Sequence, residues 1–199
     1  NKIISHNELP RSHPERDRAH GRIWRIRHES QKPSKIPNLF KVPTKDLVSH
    51  LKGPSLWEKR AAWHQITDRG AKELNSQLIK LARNKRADVT VRIHALWSLE
   101  GLKHYSTSLM GTLLKSNEDE LRREAIRSLA SFDIQPSRMA RYLKEFVNDP
   151  NAMVRSQVLR TLNDYGQANN EIIDILVDYC CPDIPGEDLG GPYERTFER

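Results

Sequence analysis

The chain has 199 residues, of which 37% are hydrophobic and 30% are charged. That length allows a buried core, while the modest apolar content favours a thin fold whose parts all lie near solvent. The formal net charge is +7, which favours acidic partners. No run of residues is apolar enough for a membrane span and no signal peptide is visible, so the sequence predicts no membrane insertion.

The positive charge is concentrated near the N-terminal end. Residues 1–36 hold nine Lys and Arg against four Asp and Glu, and the resulting +5 is most of the total charge. We interpret residues 1–43, which end in a proline-containing linker, as a basic extended segment with one predicted strand at 21–28. The rest of the chain is close to neutral, which argues against a polyanion-binding surface along its whole length.

The central part of the chain is an internal repeat. Four copies of one pattern close on the apolar residues Ile66, Leu99, Leu129 and Leu162, and the successive intervals between them in the numbering are 33, 30 and 33. A fixed period in this range predicts stacked two-helix units. We place the first helices of the units near 44–52, 71–83, 104–115, 136–148 and 169–180. We place the second helices near 55–69, 88–101, 118–131 and 151–165.

Each predicted second helix begins with a capping residue that is followed four positions later by a cation. The caps are short polar or acidic residues, which accept backbone N–H groups: Ser55, Asp88, Glu118 and Asn151. The cations are Lys59, Arg92, Arg122 and Arg155. Because residues four apart meet on a helix face, the sequence predicts ion pairs within a helix, Asp88 with Arg92 and Glu118 with Arg122. We interpret the four cations as repeat-stacking residues; contact with an acidic partner is the alternative.

Glycines mark the ends of the predicted second helices. Gly70, Gly101 and Gly166 each follow one of these helices, where a terminal residue in the left-handed conformation is expected.

The unit has the form (D/E/N)-x-x-(V/L)-R-x-x-A-(L/I)-x-x-L and resembles bacterial HEAT repeats over roughly residues 44–180. The predicted fold is all-α, a right-handed α-solenoid over 44–181 that is preceded by the mostly irregular N-terminal segment and followed by an irregular tail at 182–199. HEAT arrays serve as scaffolds and rarely as enzymes. The resemblance therefore implies a non-catalytic scaffold or protein-interaction module.

A second resemblance lies nearer the N-terminus. Residues 17–26, Asp-Arg-Ala-His-Gly-Arg-Ile-Trp-Arg-Ile, are similar to the closing strand of the β-propeller in glucose/sorbosone-dehydrogenase-like proteins. In membrane-bound, haem-binding members from planctomycetes and verrucomicrobia, HEAT repeats and a cytochrome c domain follow that propeller, and residues 92–101 resemble their first repeats. The resemblance implies a fragment of a larger dehydrogenase-like protein, periplasmic or secreted, as does a start at Asn1 rather than Met. The propeller's substrate and quinone residues would lie upstream, and the chain contains no Cys-x-x-Cys-His haem motif, so neither activity is assigned to a residue here.

Further cations and two tryptophans on the predicted second helices form a candidate interaction surface: Arg60, Arg123, Arg127, Arg160, Trp57 and Trp97. Arg127 and Arg160 are separated by the same interval as Leu129 and Leu162, so they occupy equivalent positions and predict a stripe on the concave face of the stack. Exposed tryptophan beside arginine can stack bases or anchor a protein partner. The alternative is packing against a neighbouring domain. Trp63 aligns with Leu96 and is predicted to be core.

No catalytic, cofactor-binding or metal-ligating residue is predicted. The chain shows no nucleophile–base arrangement, glycine-rich phosphate loop or convergent carboxylate pair, and its histidines show no ligand spacing. The partners expected are another protein or neighbouring domains of the parent chain. The alternative is a DNA-binding HEAT protein resembling alkylpurine DNA glycosylases, which the net charge, the tryptophans and the arginine stripe favour.

Overall fold

The computed structural model describes residues 28–30, 37–165 and 169–180. Apart from His28, the predicted strand at 21–28 lies outside the described residues, as does the predicted tail at 182–199.

The chain divides into two compact units, Asn1–Ile36 and Pro37–Arg199. The described part of the first unit is a short exposed turn in which the Ser30 hydroxyl lies 2.7 Å from Nδ1 of His28.

The described part of the second unit contains nine α-helices and no strand. They are α1 (Leu47–His50), α2 (Leu56–Asp68), α3 (Asn75–Arg83), α4 (Val89–Gly101), α5 (Thr107–Leu114), α6 (Asp119–Leu129), α7 (Pro136–Leu143), α8 (Ala152–Tyr165) and α9 (Asn170–Cys180). Short 3₁₀ turns lie at Leu39–Lys41, Thr44–Asp46, Lys72–Leu74 and Lys144–Phe146. The all-α class predicted from the repeat is confirmed, and the helices occur in the predicted order.

The helices pack in two layers. The second helices of the units, α2, α4, α6 and α8, pack one on the next in chain order. The first helices lie in the other layer, where α3 packs on α5 and α7 packs on α9. Each of the pairs α3–α4, α5–α6 and α7–α8 links the two layers.

Capping side chains fix where the second helices begin. Ser55 Oγ accepts a hydrogen bond from the Glu58 N–H, and Asp88 Oδ1 accepts one from the Thr90 N–H. Asn151 Oδ1 accepts the N–H of Met153 in the same way. These bonds satisfy backbone donors that have no partner inside the helix, which confirms three of the four predicted caps. Glu118 occupies the fourth cap position without a side-chain cap bond.

The core lies between the two layers. The residues that close the four copies of the repeat, Ile66, Leu99, Leu129 and Leu162, are all buried, with at most 1% of their surface exposed. Burying such a side chain contributes about 1.5–3 kcal/mol, so these repeated positions hold the second helices against the first.

The left-handed conformation predicted for the glycines after the second helices is confirmed at one position and wrong at another. Gly70 has φ +58°, so the left-handed conformation predicted after α2 is confirmed. The same prediction is wrong for Gly101, because this residue is the last of α4 and the left-handed residue is Lys103 at φ 55°. A Cβ on Gly101 would lie 2.6 Å from Cγ2 and Oγ1 of Thr67. Gly101 is therefore needed for the close approach of α4 to α2. Gly166 lies outside the described residues.

No helix in the described ranges combines the length and the apolar character needed to cross a bilayer.

Candidate functional site

We call the four predicted repeat-stacking residues, Lys59, Arg92, Arg122 and Arg155, the ladder cations. Two of them, Arg122 and Arg155, bond to the segment that precedes α8. Nε and Nη2 of Arg122 each donate to the Asp149 carboxylate at 2.9 Å, and Nη1 donates to the Ser116 carbonyl at 2.8 Å. Arg155 Nη1 donates to the carbonyls of Asp149 and Pro150 at 2.7 and 3.1 Å. Burial raises the pKa of Asp149, but the bonds and charge of Arg122 outweigh it, so the net pKa is lowered.

The other two ladder cations lie in the first units. Arg92 is buried and donates from Nε to the Ala82 carbonyl at 3.0 Å. Burial lowers the pKa of Arg92 and the charge of Glu118, in the next unit, opposes that shift. The hydrogen bonds from Thr90 lower the pKa of Asp88, and the charge of Lys59 lowers it further. Lys59 thus lies near the cap of the next second helix.

The ion pairs predicted within a helix are wrong. Arg92 reaches back to the Ala82 carbonyl at the end of α3, and Arg122 reaches forward to Asp149, which is 27 residues away. The reason is geometric: these guanidinium groups lie at the junction between layers, where buried carbonyl and carboxylate oxygens offer stronger partners than an exposed cap on the same helix. Glu118, the predicted partner of Arg122, is itself exposed.

A cleft of about 380 Å³ lies across α2, α4 and α6. We call it the aromatic cleft. It is lined by Trp63, His64, Thr67, Trp97, Glu100, Gly101, Lys103, Arg127 and Ser131. His64, Trp97 and Arg127 occupy equivalent positions of three successive units, so the cleft follows directly from the stacking.

Four aromatic rings form a continuous row beside this cleft. The rings of Trp63 and Trp97 are 5.1 Å apart between centroids and tilted by 49°. His64 lies 4.5 Å from Trp63, and His94 lies 4.9 Å from Trp97. Tilted contacts at these distances are favourable for aromatic side chains, so the four rings pack as one aromatic wall.

Arg127 holds two carboxylates at the α6 side of the aromatic cleft. Its Nη1 and Nη2 donate to Glu100 at 3.0 and 2.5 Å, and its Nε donates to Glu124 at 2.7 Å. The Glu124 carboxylate also accepts the indole N–H of Trp97 at 3.0 Å, and the Ser131 hydroxyl donates to Glu100. The network thereby fixes Trp97 and spans α4 and α6.

The pKa values reflect this pairing. Burial raises the pKa of Glu124, but the bonds from Arg127 and Trp97 more than offset it, so the net pKa is lowered. Burial lowers the pKa of Arg127, but the bonds from Glu100 and Glu124 outweigh it, so the net pKa is raised. Both groups are therefore charged at neutral pH, and each guanidinium nitrogen of Arg127 bonds to a carboxylate.

His94 is the buried end of the row of rings and is 2% exposed. Its Nδ1 donates to the Thr90 carbonyl at 2.6 Å, while its Nε2 is buried without a partner in the described part of the chain. Burial lowers the pKa of His94, and the charges of Lys59 and Arg60 lower it further. The hydrogen bond to the Thr90 carbonyl opposes this shift of the pKa, and the net effect favours the neutral ring.

The remaining residues of the predicted interaction surface are dispersed. Arg60 and Arg160 are exposed, and Trp57 is 54% exposed at the start of α2. Arg123 donates to Glu124 at 3.2 Å. Trp63, predicted to be core, is only partly buried, because its large indole faces the aromatic cleft while its N–H is buried without a partner among the described residues.

Sequence reasoning missed the two acids of the network, Glu100 and Glu124. A signal for them exists in the spacing, since Trp97 precedes Glu124 by the same interval, 27, by which Glu100 precedes Arg127. Equivalent positions in these two units are 30 residues apart. A pair separated by 27 residues therefore joins one helix to the residue about one turn before the equivalent position on the next helix. That offset brings side chains of neighbouring stacked helices together.

Within the described ranges, no three His, Cys, Asp or Glu side chains are grouped so as to hold a metal ion.

Comparison with known proteins identifies the repeat in part of the chain. Residues 107–183 match the HEAT-repeat family. A crystal structure of an engineered protein is similar, with 17% sequence identity over 69% of this chain and 68% of that chain, at a TM-score of 0.41. No curated protein matches the sequence. Over residues 107–183 the chain is thus similar to HEAT repeats, a type of module that is commonly a protein-interaction scaffold and typically non-catalytic.

Proposed function

We propose that this chain is a non-catalytic scaffold that binds a protein partner in the aromatic cleft. The observation that carries the proposal is the Trp63–Trp97 pair, which is partly exposed and held in place by the Glu100–Arg127–Glu124 network. Tryptophan and arginine dominate the energetics of protein interfaces, and side chains already fixed before binding lose little entropy when a partner docks.

The rim of the aromatic cleft suits a partner that combines an apolar and an acidic side chain. The tryptophan faces offer an apolar wall, and Lys103 is an exposed cation that lines the same cleft. Arg127 is neutralised by its two carboxylates, so Lys103 is the cation most available to a partner's carboxylate.

We also propose that the ladder cations Lys59, Arg92, Arg122 and Arg155 act in repeat stacking. The bonds of Arg122 and Arg155 to the segment before α8 support this role, as does the buried bond of Arg92 to Ala82. Cations committed in this way inside the stack are poorly placed to reach a partner.

DNA binding is the second candidate function. It is favoured by the tryptophan pair and by two exposed cations on the second helices, Arg60 and Arg160. Against it, Arg123 and Arg127 are both tied to Glu124, and Glu100 adds a further carboxylate at the same place. A phosphate that approached Arg127 would meet these two acids, which makes a protein partner the better supported choice.

A dehydrogenase-like parent protein remains a proposal that rests on the resemblance at residues 17–26. Its test is the full reading frame. Propeller strands upstream and a Cys-x-x-Cys-His motif downstream would support it, and a frame without either would refute it.

Photo-crosslinking tests the scaffold function. The chain would carry p-benzoylphenylalanine at His64, which is exposed in the aromatic cleft, or at Lys115, which is exposed in the other layer. In extract from the source organism, we expect a discrete adduct only when the crosslinker is at position 64. The adduct should survive nuclease and weaken with Lys103→Glu, and mass spectrometry would identify the partner. Equal adducts from both positions, no adduct, or an adduct removed by nuclease would refute the proposal.

A further inference from the structure

A second cleft lies in the other helix layer, between α1 and α3, and has a volume of about 760 Å³. We call it the basic cleft. It is lined by Val48, Lys52, Ser76, Gln77, Ile79, Lys80, Leu81, Arg83 and Asn84. We infer that it binds an extended acidic peptide of a partner protein, one in which an apolar residue is flanked by carboxylates. It shares no residue with the aromatic cleft, so the inference is independent of the function proposed above.

The basic cleft lies where α1 and α3 are neighbours in the layer without packing closely on each other. The helix α1 is a single turn, Leu47–His50, and packs on α2. On its other side α3 packs on α5, and further along the same layer α7 packs on α9. One side of α3 is therefore left open, and Gln77 and Lys80 lie exposed on it.

The charge of the surrounding chain favours an acidic occupant. Residues 37–103 hold thirteen Lys and Arg against six Asp and Glu. Lys52, Lys80 and Arg83 line the cleft, while none of its described lining residues is acidic. Arg83 donates to the Ser108 hydroxyl at 2.7 Å. The ion pairs formed among the described residues involve none of these three cations.

A structural role accounts for only part of this charge. Lys80 and Arg83 lie in the last turn of α3, where cations stabilise the carbonyl end of the helix. That explanation does not extend to Lys52, which lies across the cleft after α1, or to the exposed Lys85 and Arg86 beyond the end of α3. An excess of cations that no carboxylate balances raises the local concentration of acidic partners and speeds their association.

The floor of the basic cleft distinguishes a peptide from a nucleic acid. Val48, Ile79 and Leu81 give it an apolar patch that a peptide side chain can cover. Gln77 and Asn84 supply exposed amides, which can both donate to and accept from a peptide backbone. None of the described lining residues is aromatic, whereas proteins that bind single-stranded nucleic acid use aromatic rings as stacking platforms.

The test is a fluorescence anisotropy titration of the full chain with a fluorescein-labelled peptide, Glu-Glu-Leu-Glu-Glu-Ile-Glu-Glu. We expect saturable binding that falls at least tenfold in the Lys52→Glu/Lys80→Glu variant. The matched control, Lys72→Glu/Lys115→Glu, makes the same charge change at exposed positions outside the cleft, and we expect it to stay within twofold. The same peptide with Gln for Glu should not bind. Circular dichroism should show all variants folded, because every substituted lysine is exposed.

Several results would overturn the inference. These are no binding of the peptide, equal losses in the cleft and control variants, or tighter binding of a single-stranded 20-mer DNA that the cleft variant abolishes. The chain's own stretch with Asp183, Glu187 and Asp188 is a competing occupant. If neutralising those three acids in the full chain tightened peptide binding tenfold, that stretch would be competing with the peptide. The cleft would then bind the chain's own stretch and not a partner.

Discussion

Arg127 of α6 holds Glu100 of α4 through two parallel hydrogen bonds, Nη1 to Oε1 at 3.0 Å and Nη2 to Oε2 at 2.5 Å. The pair joins two successive units, and the third guanidinium donor, Nε, bonds to Glu124 of Arg127's own helix. A residue that looks like a free surface cation in the sequence is therefore part of the junction between α4 and α6. This relationship makes the stability of the stack and the rigidity of the aromatic cleft depend on the same side chain.

Replacing Arg127 should therefore destabilise the fold. Arg127→Met leaves the carboxylates of Glu100 and Glu124 mostly buried without their partner, and we expect a loss of about 1–3 kcal/mol in the free energy of unfolding. Urea denaturation measures it. The control is Arg160→Met, the equivalent position on α8, where the side chain is exposed and the change should stay within about 0.5 kcal/mol. Equal effects at the two positions would contradict the network.

Arg122 and Asp149 should be energetically coupled. Their side chains are 12% and 5% exposed and share two bonds of 2.9 Å. In a double-mutant cycle with Arg122→Met and Asp149→Asn, we expect a coupling energy of about 1–3 kcal/mol. Additive losses would show that the pair contributes nothing to stacking.

The Arg122–Asp149 pair also predicts an acid dependence. Because the pKa of Asp149 is lower in the folded chain than in the unfolded one, its stabilisation is complete above the ordinary aspartate pKa of about 3.9 and is lost as the pH falls through the folded value. The Asp149→Asn variant should lose less stability than the unchanged chain between pH 5 and pH 3. Parallel losses in the two proteins would contradict the lowered pKa.

Gly101 should not tolerate a methyl group. A Cβ there would lie 2.6 Å from Thr67, so Gly101→Ala should cost about 1–3 kcal/mol as an overpacking change. The control is Gly111→Ala within α5, where nothing lies within 4 Å and alanine should stabilise the helix by about 0.5–1 kcal/mol. Thr67→Ala should partly restore the Gly101→Ala variant. Thermal unfolding of the four chains measures these effects, and a stabilising Gly101→Ala would contradict the close helix approach.

His94 should make the fold sensitive to mild acid. Its pKa is lowered in the folded chain, mainly by burial, so the unfolded chain binds the proton more readily. Stability should therefore be complete above about pH 6.5 and fall as the pH drops from there towards 5. The His94→Leu variant, which retains the other histidines, should lose less stability in this range. Equal losses with and without His94 would contradict the buried neutral ring.

The repeat and its core were predictable because stacking makes each unit face its neighbours in the same way. Ile66, Leu99, Leu129 and Leu162 are buried at one period, and the capping residues begin the second helices as their side-chain chemistry requires. Burial and capping depend on the residues of one helix, so both patterns can be recognised in a single sequence.

The ion-pair partners could not be predicted in the same way. Arg122 and Arg127 find carboxylates on neighbouring units, at sequence distances set by how far one helix slides along the next. That offset depends on packing details such as the contact of Gly101 with Thr67.

The basic cleft was not predicted, because only the net charge of the whole repeat region was considered. The near-neutral region beyond residue 36 combines a basic stretch at 37–103 with an acidic excess at 104–199, and only the structure shows that Lys52 lines one cleft with Lys80 and Arg83. The helix predicted near 44–52 is present as the 3₁₀ turn Thr44–Asp46 and α1, and the gap between it and α3 depends on packing that the sequence does not show.

A salt-dependent anisotropy titration with labelled duplex DNA tests the scaffold function most directly, because it asks whether Arg127 is committed to its two carboxylates or available to phosphate. We expect binding no tighter than the non-specific range of about 10⁻⁴–10⁻⁶ M at physiological salt, with the same salt slope for the unchanged chain and for Arg127→Met. Binding at least tenfold tighter than that range, with a slope that Arg127→Met reduces by about one, would show that Arg127 contacts phosphate and would contradict the protein scaffold.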